Sequence, residues 1–181
     1  MDRYEMRFTG SGGQGVILAS VIFAEAAVIA DRNAVQSQAY GPEARGGMCK
    51  AETILSDDSI WFSKVTCPNF LLALTQKALD NFAPNTAKDA VVLIDDTLTL
   101  PEGLEGRKVY ALPILRAAAE KVGKAMTANI VAVGAINGLL GLFDDSVIDE
   151  AVKRHIPSGT EALNEKALKV GKELAAELQS A

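Results

Sequence analysis

Gly10, Gly12 and Gly15 stand in the spacing G-x-G-x-x-G, with Ser11, Gly13 and Gln14 between them. Glycines so placed let a chain turn sharply after a strand and bring its backbone close to a ligand. They also leave the first N–H groups of the next helix without partners, a setting that suits phosphate, a carboxylate or a loop of another chain. The alternative for the same residues is a tight strand-to-helix turn and nothing more. Gln14 adds a side-chain amide that donates and accepts without charge. The same spacing serves dinucleotides when an acid ends the second strand and holds the ribose hydroxyls. Here Gln36, Ser37 and Gln38 occupy that place and Asp31 precedes the strand. Tight NAD binding is therefore not expected.

A second cluster, Tyr40-Gly41-Pro42-Glu43-Ala44-Arg45-Gly46-Gly47, follows the second strand. Tyr40 offers an aromatic platform and Glu43 a carboxylate. Arg45 offers a planar guanidinium suited to two-pronged capture of a carboxylate or phosphate. An ion pair between Arg45 and Glu43 inside the loop is the competing use, worth little if exposed. Pro42 stiffens the segment in either case.

The other reactive residue types form no set. Cys49 and Cys67 lack C-x-x-C spacing, and His155 is the single histidine. No metal site is expected, because an iron–sulfur cluster takes four thiolates. Each cysteine is expected to be a small buried hydrophobe, and His155 a surface residue near a helix end that Pro157 stops. Asp95 and Asp96 could hold a cation or a ribose, but the neighbouring residues favour solvation at a strand end. Asn129 and Asn137 lie roughly on one side of an apolar helix and need partners, such as loop backbone. Trp61 and Phe62 belong either to the core or to a docking surface. No catalytic residue can be named, since nothing assembles a nucleophile, base and acid.

The two glycine clusters, Gly-x-Gly-Gly-Gln-Gly-Val and Tyr-Gly-Pro-Glu-x-Arg-Gly-Gly, resemble those of the gamma subunit, or gamma domain, of 2-oxoacid:ferredoxin oxidoreductases. The resemblance continues through Pro68 to Leu74, Thr127 to Val131 with Gly134-Ala135, and Leu163 to Ala167. The run Gln36 to Tyr40 is most similar to the separate gamma subunit of 2-oxoglutarate enzymes, with pyruvate and branched-chain oxoacid relatives next. Asn69 departs from the aspartate more usual there. The resemblance implies oxidative decarboxylation of a 2-oxoacid to an acyl-CoA by a complex with alpha, beta and delta-type subunits. It implies thiamine diphosphate and iron–sulfur clusters on those partners, no cofactor bound by this chain alone, and a CoA contact at the complex interface. Gly10, Gly12, Gly13, Gln14, Gly15, Tyr40, Glu43 and Arg45 are the binding residues so implied. A homodimer contact stays open beside them. Two rival readings are a stand-alone nicotinamide or flavin oxidoreductase and a non-enzymatic nucleotide-binding module. Binding of free NAD, FAD or nucleotide would separate them from the first.

Positioning these residues takes an alternation of strands and helices. Strands are expected over 4–9, 34–38, 90–95 and 108–112, and a hairpin over 48–55 and 60–62 around a polar turn. Helices are expected over 16–30, 69–82, 114–121, 128–142, 145–154 and 160–178, with Thr160 and Asp144 or Asp145 as caps. The spacing of Gly134 and Gly138 suggests a buried helix packed tightly on the sheet. The pattern is α/β: a single-domain three-layer sandwich, mostly parallel with an inserted antiparallel hairpin, whose ligands lie at the carboxyl ends of strands. One gamma-type catalytic domain over 1–181 is expected.

With 181 residues, 49% hydrophobic and 23% charged, and a mean hydropathy of +0.15, the chain has more apolar surface than one monomeric core of this size uses. A buried partner interface follows. A net charge of -5 without a Lys/Arg block argues against nucleic acid and anionic membrane as partners. The apolar stretches are broken by Glu25 or by Asn and Gly, so no membrane span is expected. The first strand starts too early for a cleavable signal, which implies the cytoplasm.

Overall fold

The computed structural model describes residues 3–40 and 47–180, Tyr40 through its backbone alone. In chain order the elements are β1 (Tyr4–Ser11), α1 (Val16–Ile29), β2 (Asn33–Tyr40), β3 (Met48–Ser56), β4 (Phe70–Ala73) and α2 (Gln76–Phe82). They continue with β5 (Val91–Asp95), β6 (Lys108–Leu112), α3 (Ile114–Ala117), α4 (Ala128–Leu140), α5 (Asp145–His155) and α6 (Glu161–Gln179). The strands form one sheet in the order β2-β3-β1-β4-β5-β6. β1, β4, β5 and β6 are parallel, while β3 runs against both β1 and β2.

Alternation along β1 decides what each sheet face becomes. Met6 and Phe8 point toward α1 and are 0% exposed, and the Phe8 ring lies 5.7 Å from Phe23 and 6.1 Å from Phe70. This face carries the main core, covered by α1 and by α3 to α6. A smaller core of Leu71, Ala73, Leu79, Ala83, Val92 and Ile94 joins the other face to α2, completing three unequal layers. Arg7, on the same side as α2, donates to Glu52 on β3 at 2.7 Å and sits over the Phe82 ring.

Two expectations about elements need correcting. The antiparallel hairpin is β2–β3, and residues 60–62 form no strand. Trp61 and Phe62 are 94% and 55% exposed, so they lie outside the core. Their segment instead crosses the charged side of the sheet: Val65 O accepts from Arg7, and Thr66 and Cys67 N–H donate to Glu5 Oε2 at 3.1 and 3.3 Å. The helix read over 69–82 contains β4, four fully buried residues between β1 and β5. A short apolar run fits a doubly buried strand as well as a helix, and tertiary pairing decides. The helix starts at Gln76, where Thr75 Oγ1 accepts from the Ala78 N–H.

The glycines of α4 also answer to a different neighbour. A Cβ on Gly134 would collide with the Leu168 carbonyl, and one on Gly171 with the Val131 carbonyl. The close contact is therefore helix on helix, α4 against α6, not helix on sheet. Asp144 and Thr160 take the N-cap positions of α5 and α6 without a side-chain capping bond. Among the described residues no helix is long and apolar enough to cross a membrane.

Candidate functional site

The first glycine segment leaves the end of β1 and enters α1 through two left-handed residues, Gly13 (φ 102°) and Gly15 (φ 72°). Only glycine takes such angles without strain, so the turn is written into these positions. Both ends of the Gln14 amide are engaged within the fold, with one Nε2 hydrogen left over. Its Oε1 accepts from the Ser11 N–H at 2.7 Å and its Nε2 donates to the Leu74 carbonyl at 3.3 Å, pinning the loop to the end of β4. The Gly12 N–H donates to Gly47 O at 3.0 Å.

This last bond joins the roots of the two glycine segments. Ser11 pairs with Met48, and Cys49 stands between Gly10 on β1 and Tyr40 on β2. Both segments therefore spring from the carboxyl-end edge of the sheet, as the sequence indicates. Glu43 and Arg45, and the Tyr40 side chain, lie outside the described residues. Desolvation by burial pushes the Cys49 thiol up from its ordinary value, which makes it a poor nucleophile beside the loop.

The donor set at this edge is made of backbone. Gly15 caps α1 without a side-chain bond, and the first turn contains no acid. Val16, Ile17 and Leu18 N–H find no acceptor among the described residues. A 14-residue helix with an open amino end presents partial positive charge and aligned donors, which suit an anionic oxygen.

Several polar residues fall elsewhere than expected. Asp95 is 0% exposed instead of solvated; it accepts from Thr97 N–H and Oγ1 and from the Leu115 N–H at 2.8 Å, tying β5 to α3. Asp96 pairs with Arg116 on the surface. Cys67 is exposed, contrary to expectation, because the segment carrying it lies over Glu5 outside the core. His155 is half-buried at the end of α5, its Nε2 3.5 Å from Glu25 Oε2. Asn137 finds loop backbone as expected, donating to Phe143 O and accepting from its N–H. Asn129 reaches the first glycine segment instead, with its carboxamide against Gly15. Spacing shows only that Asn129 is polar in an apolar helix; its place beside Gly15 depends on how α4 packs against α1. Among the described residues no group of three or more His, Cys, Asp or Glu could hold a metal ion.

A family model described as pyruvate ferredoxin/flavodoxin oxidoreductase matches residues 5–174. The chain belongs to this family. It is 40% identical to 2-oxoglutarate synthase subunit KorC of Methanocaldococcus jannaschii over 97% of this chain and 96% of that one. The gamma subunit of a keto/oxoacid ferredoxin oxidoreductase from Geobacter sulfurreducens superposes with a TM-score of 0.88 at 43% identity, covering 98% of each chain. The 2-oxoglutarate:ferredoxin oxidoreductase of Magnetococcus marinus, solved with 2-oxoglutarate, coenzyme A and succinyl-CoA, shares the fold at a TM-score of 0.89 and 21% identity. The match covers all of this chain and 32% of the longer one.

Proposed function

We propose that the chain is the gamma subunit of a CoA-dependent 2-oxoacid:ferredoxin oxidoreductase, acting on 2-oxoglutarate or a close relative, with its glycine-loop edge facing CoA. The overall reaction converts a 2-oxoacid, CoA and oxidised ferredoxin to acyl-CoA, carbon dioxide and reduced ferredoxin. Full-length likeness to separate gamma-type subunits supports the family role. The observation that carries the CoA-facing role is the uncapped amino end of α1 on an edge whose described loop, 10–15, contains no charged side chain.

The residues present do not suit the redox groups of such a complex. Cys49 is buried on β3 and Cys67 lies in the following loop, so the chain cannot supply four thiolates to a cluster. We therefore assign thiamine diphosphate and iron–sulfur clusters to alpha, beta and delta-type partners in a cytoplasmic complex. To this chain, as one gamma-type domain, we assign completion of the assembly and a phosphate-facing surface. Gly10, Gly12, Gly13 and Gly15 shape that surface, Gln14 holds it in place, and Tyr40, Glu43 and Arg45 contribute from the second segment.

Reconstitution tests this reading. The purified chain alone should give no 2-oxoacid oxidation, and a partner mixture lacking it should lose CoA-dependent reduction of a viologen dye that adding the chain restores. Full CoA-dependent turnover by the partners without it would refute the assignment.

A further inference from the structure

α1 has no polar face. Glu25 is its single charged residue, and that carboxylate is turned to α5, where it accepts from Arg154 at 2.8 Å. A helix apolar all round belongs inside a structure, yet Ile17, Val21 and Ala24 are only half-buried and Val28 is 61% exposed. These four follow one another at steps of four, three and four, the spacing of the apolar seam by which one helix packs on another.

The stripe runs into the edge of the sheet. Glu25 and Arg154 stand on one flank; on the other, Gln36 Nε2 of β2 lies 3.5 Å from Ser20 Oγ. β2 is an outer strand, with Ser37, Gln38 and Ala39 exposed. Outer strands leave a row of backbone donors and acceptors open, and soluble proteins blunt them with charge, proline or short length. β6, the opposite edge, is five residues long and begins with Lys108, whereas β2 is eight residues long and contains neither charge nor proline. Helix stripe and strand edge thus make one uncharged corner.

We propose that this corner is a self-association surface, filled by α1 and β2 of a second copy of the chain related by a two-fold axis perpendicular to the sheet. Such an axis pairs β2 antiparallel with its counterpart and keeps both α1 helices on the same side. It sets residues of like facing opposite each other, Gln36 against Gln36 or Gln38 of the other copy, and a carboxamide, both donor and acceptor, is its own complement. The two β3 strands then stand three strand spacings, about 14 Å, apart, and the α1 helices lying over β3 and β2 meet along their stripes. The chain carries a net charge of -5, and this corner brings none of it to the axis, so a copy meets no like-charge repulsion there. A strand of eight residues beside a helix of 14 covers about 500 Å² per copy, together about 1,000 Å², the lower bound of a specific interface. The inference is independent of the CoA-facing reading.

Sedimentation of the full-length chain from about 1 to about 200 µM should show monomer giving way to dimer by mass action. Monomer throughout would overturn the proposal. Hydrogen exchange across the same range locates the contact: amides of 33–40 and 16–29 should gain protection with concentration while those of β6 do not, and protection confined elsewhere would refute the site. Gln38→Lys and Val28→Lys each bring like charges to the interface and should weaken dimerisation about tenfold or more. Gln38 is exposed, so its variant retains the readout even if Val28→Lys fails to fold; a dimer unweakened by Gln38→Lys, with an unchanged thermal midpoint, would also count against the corner. In a reconstituted assembly, protection of β2 with one copy of this chain present would assign the corner to another subunit and overturn self-pairing.

Discussion

Arg7 and Glu52 face each other across β1 and β3, with Nε and Oε1 2.7 Å apart and both side chains more than nine-tenths buried. Lys50 donates to the same carboxylate oxygen at 3.0 Å, so Glu52 holds two cations at once. The three form a charged layer on the side of the sheet opposite the main core.

That asymmetry sets the order of effects on stability. Glu52→Ala removes the shared anion and leaves a buried guanidinium unpaired, which should cost about 3 to 5 kcal/mol. Arg7→Ala leaves Lys50 on Glu52 and should cost less, about 1 to 3 kcal/mol. The double change Arg7→Met with Glu52→Leu fills the space without charge and should recover much of the loss. Urea unfolding of the four proteins measures all three differences, and equal costs for the two alanine variants would contradict the shared-anion arrangement.

The cysteines should react very differently. Cys49 is buried on β3 and its thiol is pushed up by desolvation, whereas Cys67 is exposed. One thiol per chain is expected to react promptly with a disulfide reagent, and Cys67→Ser should remove that phase. Cys49 should react about a hundredfold more slowly or more, because it waits on local opening. Two fast thiols in the native chain would show that β3 opens readily beside the glycine loops.

Much of the fold is legible from local pattern, and the failures have a common cause. The run 91–94 is apolar because β4 and β6 flank it and both faces are covered, and Lys108–Leu112 follows at parallel register. By contrast, Phe70–Ala73 becomes a strand only because β1 and β5 offer edges on both sides, which no local spacing reveals. The glycine loop announces itself through residue type, since positive φ at Gly13 and Gly15 is a local property. The partners of Gln14 and the place of Asn129 are not local. Leu74 lies 60 residues from Gln14, and Asn129 reaches Gly15 only after α4 has packed beside α1.

Acid should loosen the junction of α1 and α5. The hydrogen bond from Arg154 Nη1 to Glu25 Oε1, at 2.8 Å, holds the Glu25 carboxyl below its ordinary value of 4.5, against partial burial and with help from His155. A carboxyl lowered in the folded state stabilises fully above the unfolded value, and that contribution is lost as pH falls through the folded value. The thermal midpoint should therefore drop below about pH 4.5, and Glu25→Gln should flatten that acid limb. An unchanged slope between pH 5 and 3 in the variant would assign the acid sensitivity to other carboxylates.

The second glycine segment offers the sharpest separation of binding from local pairing. Arg45 either grips an anion outside its own loop, a CoA phosphate or a partner carboxylate, or pairs with Glu43 two residues earlier. The two uses respond differently to conservative changes. A two-pronged guanidinium contact loses its geometry when lysine replaces arginine, while an exposed pair within a loop tolerates either Arg45→Lys or Glu43→Gln. Because the open end of α1 already favours anions at this edge, Arg45→Lys is expected to raise the KM for CoA or weaken assembly, by about 1 to 3 kcal/mol where the contact is shielded from water. Glu43→Gln should change little. Steady-state kinetics and size-exclusion profiles of the reconstituted complexes decide between them, and normal CoA dependence with intact assembly in Arg45→Lys would return this arginine to a local role.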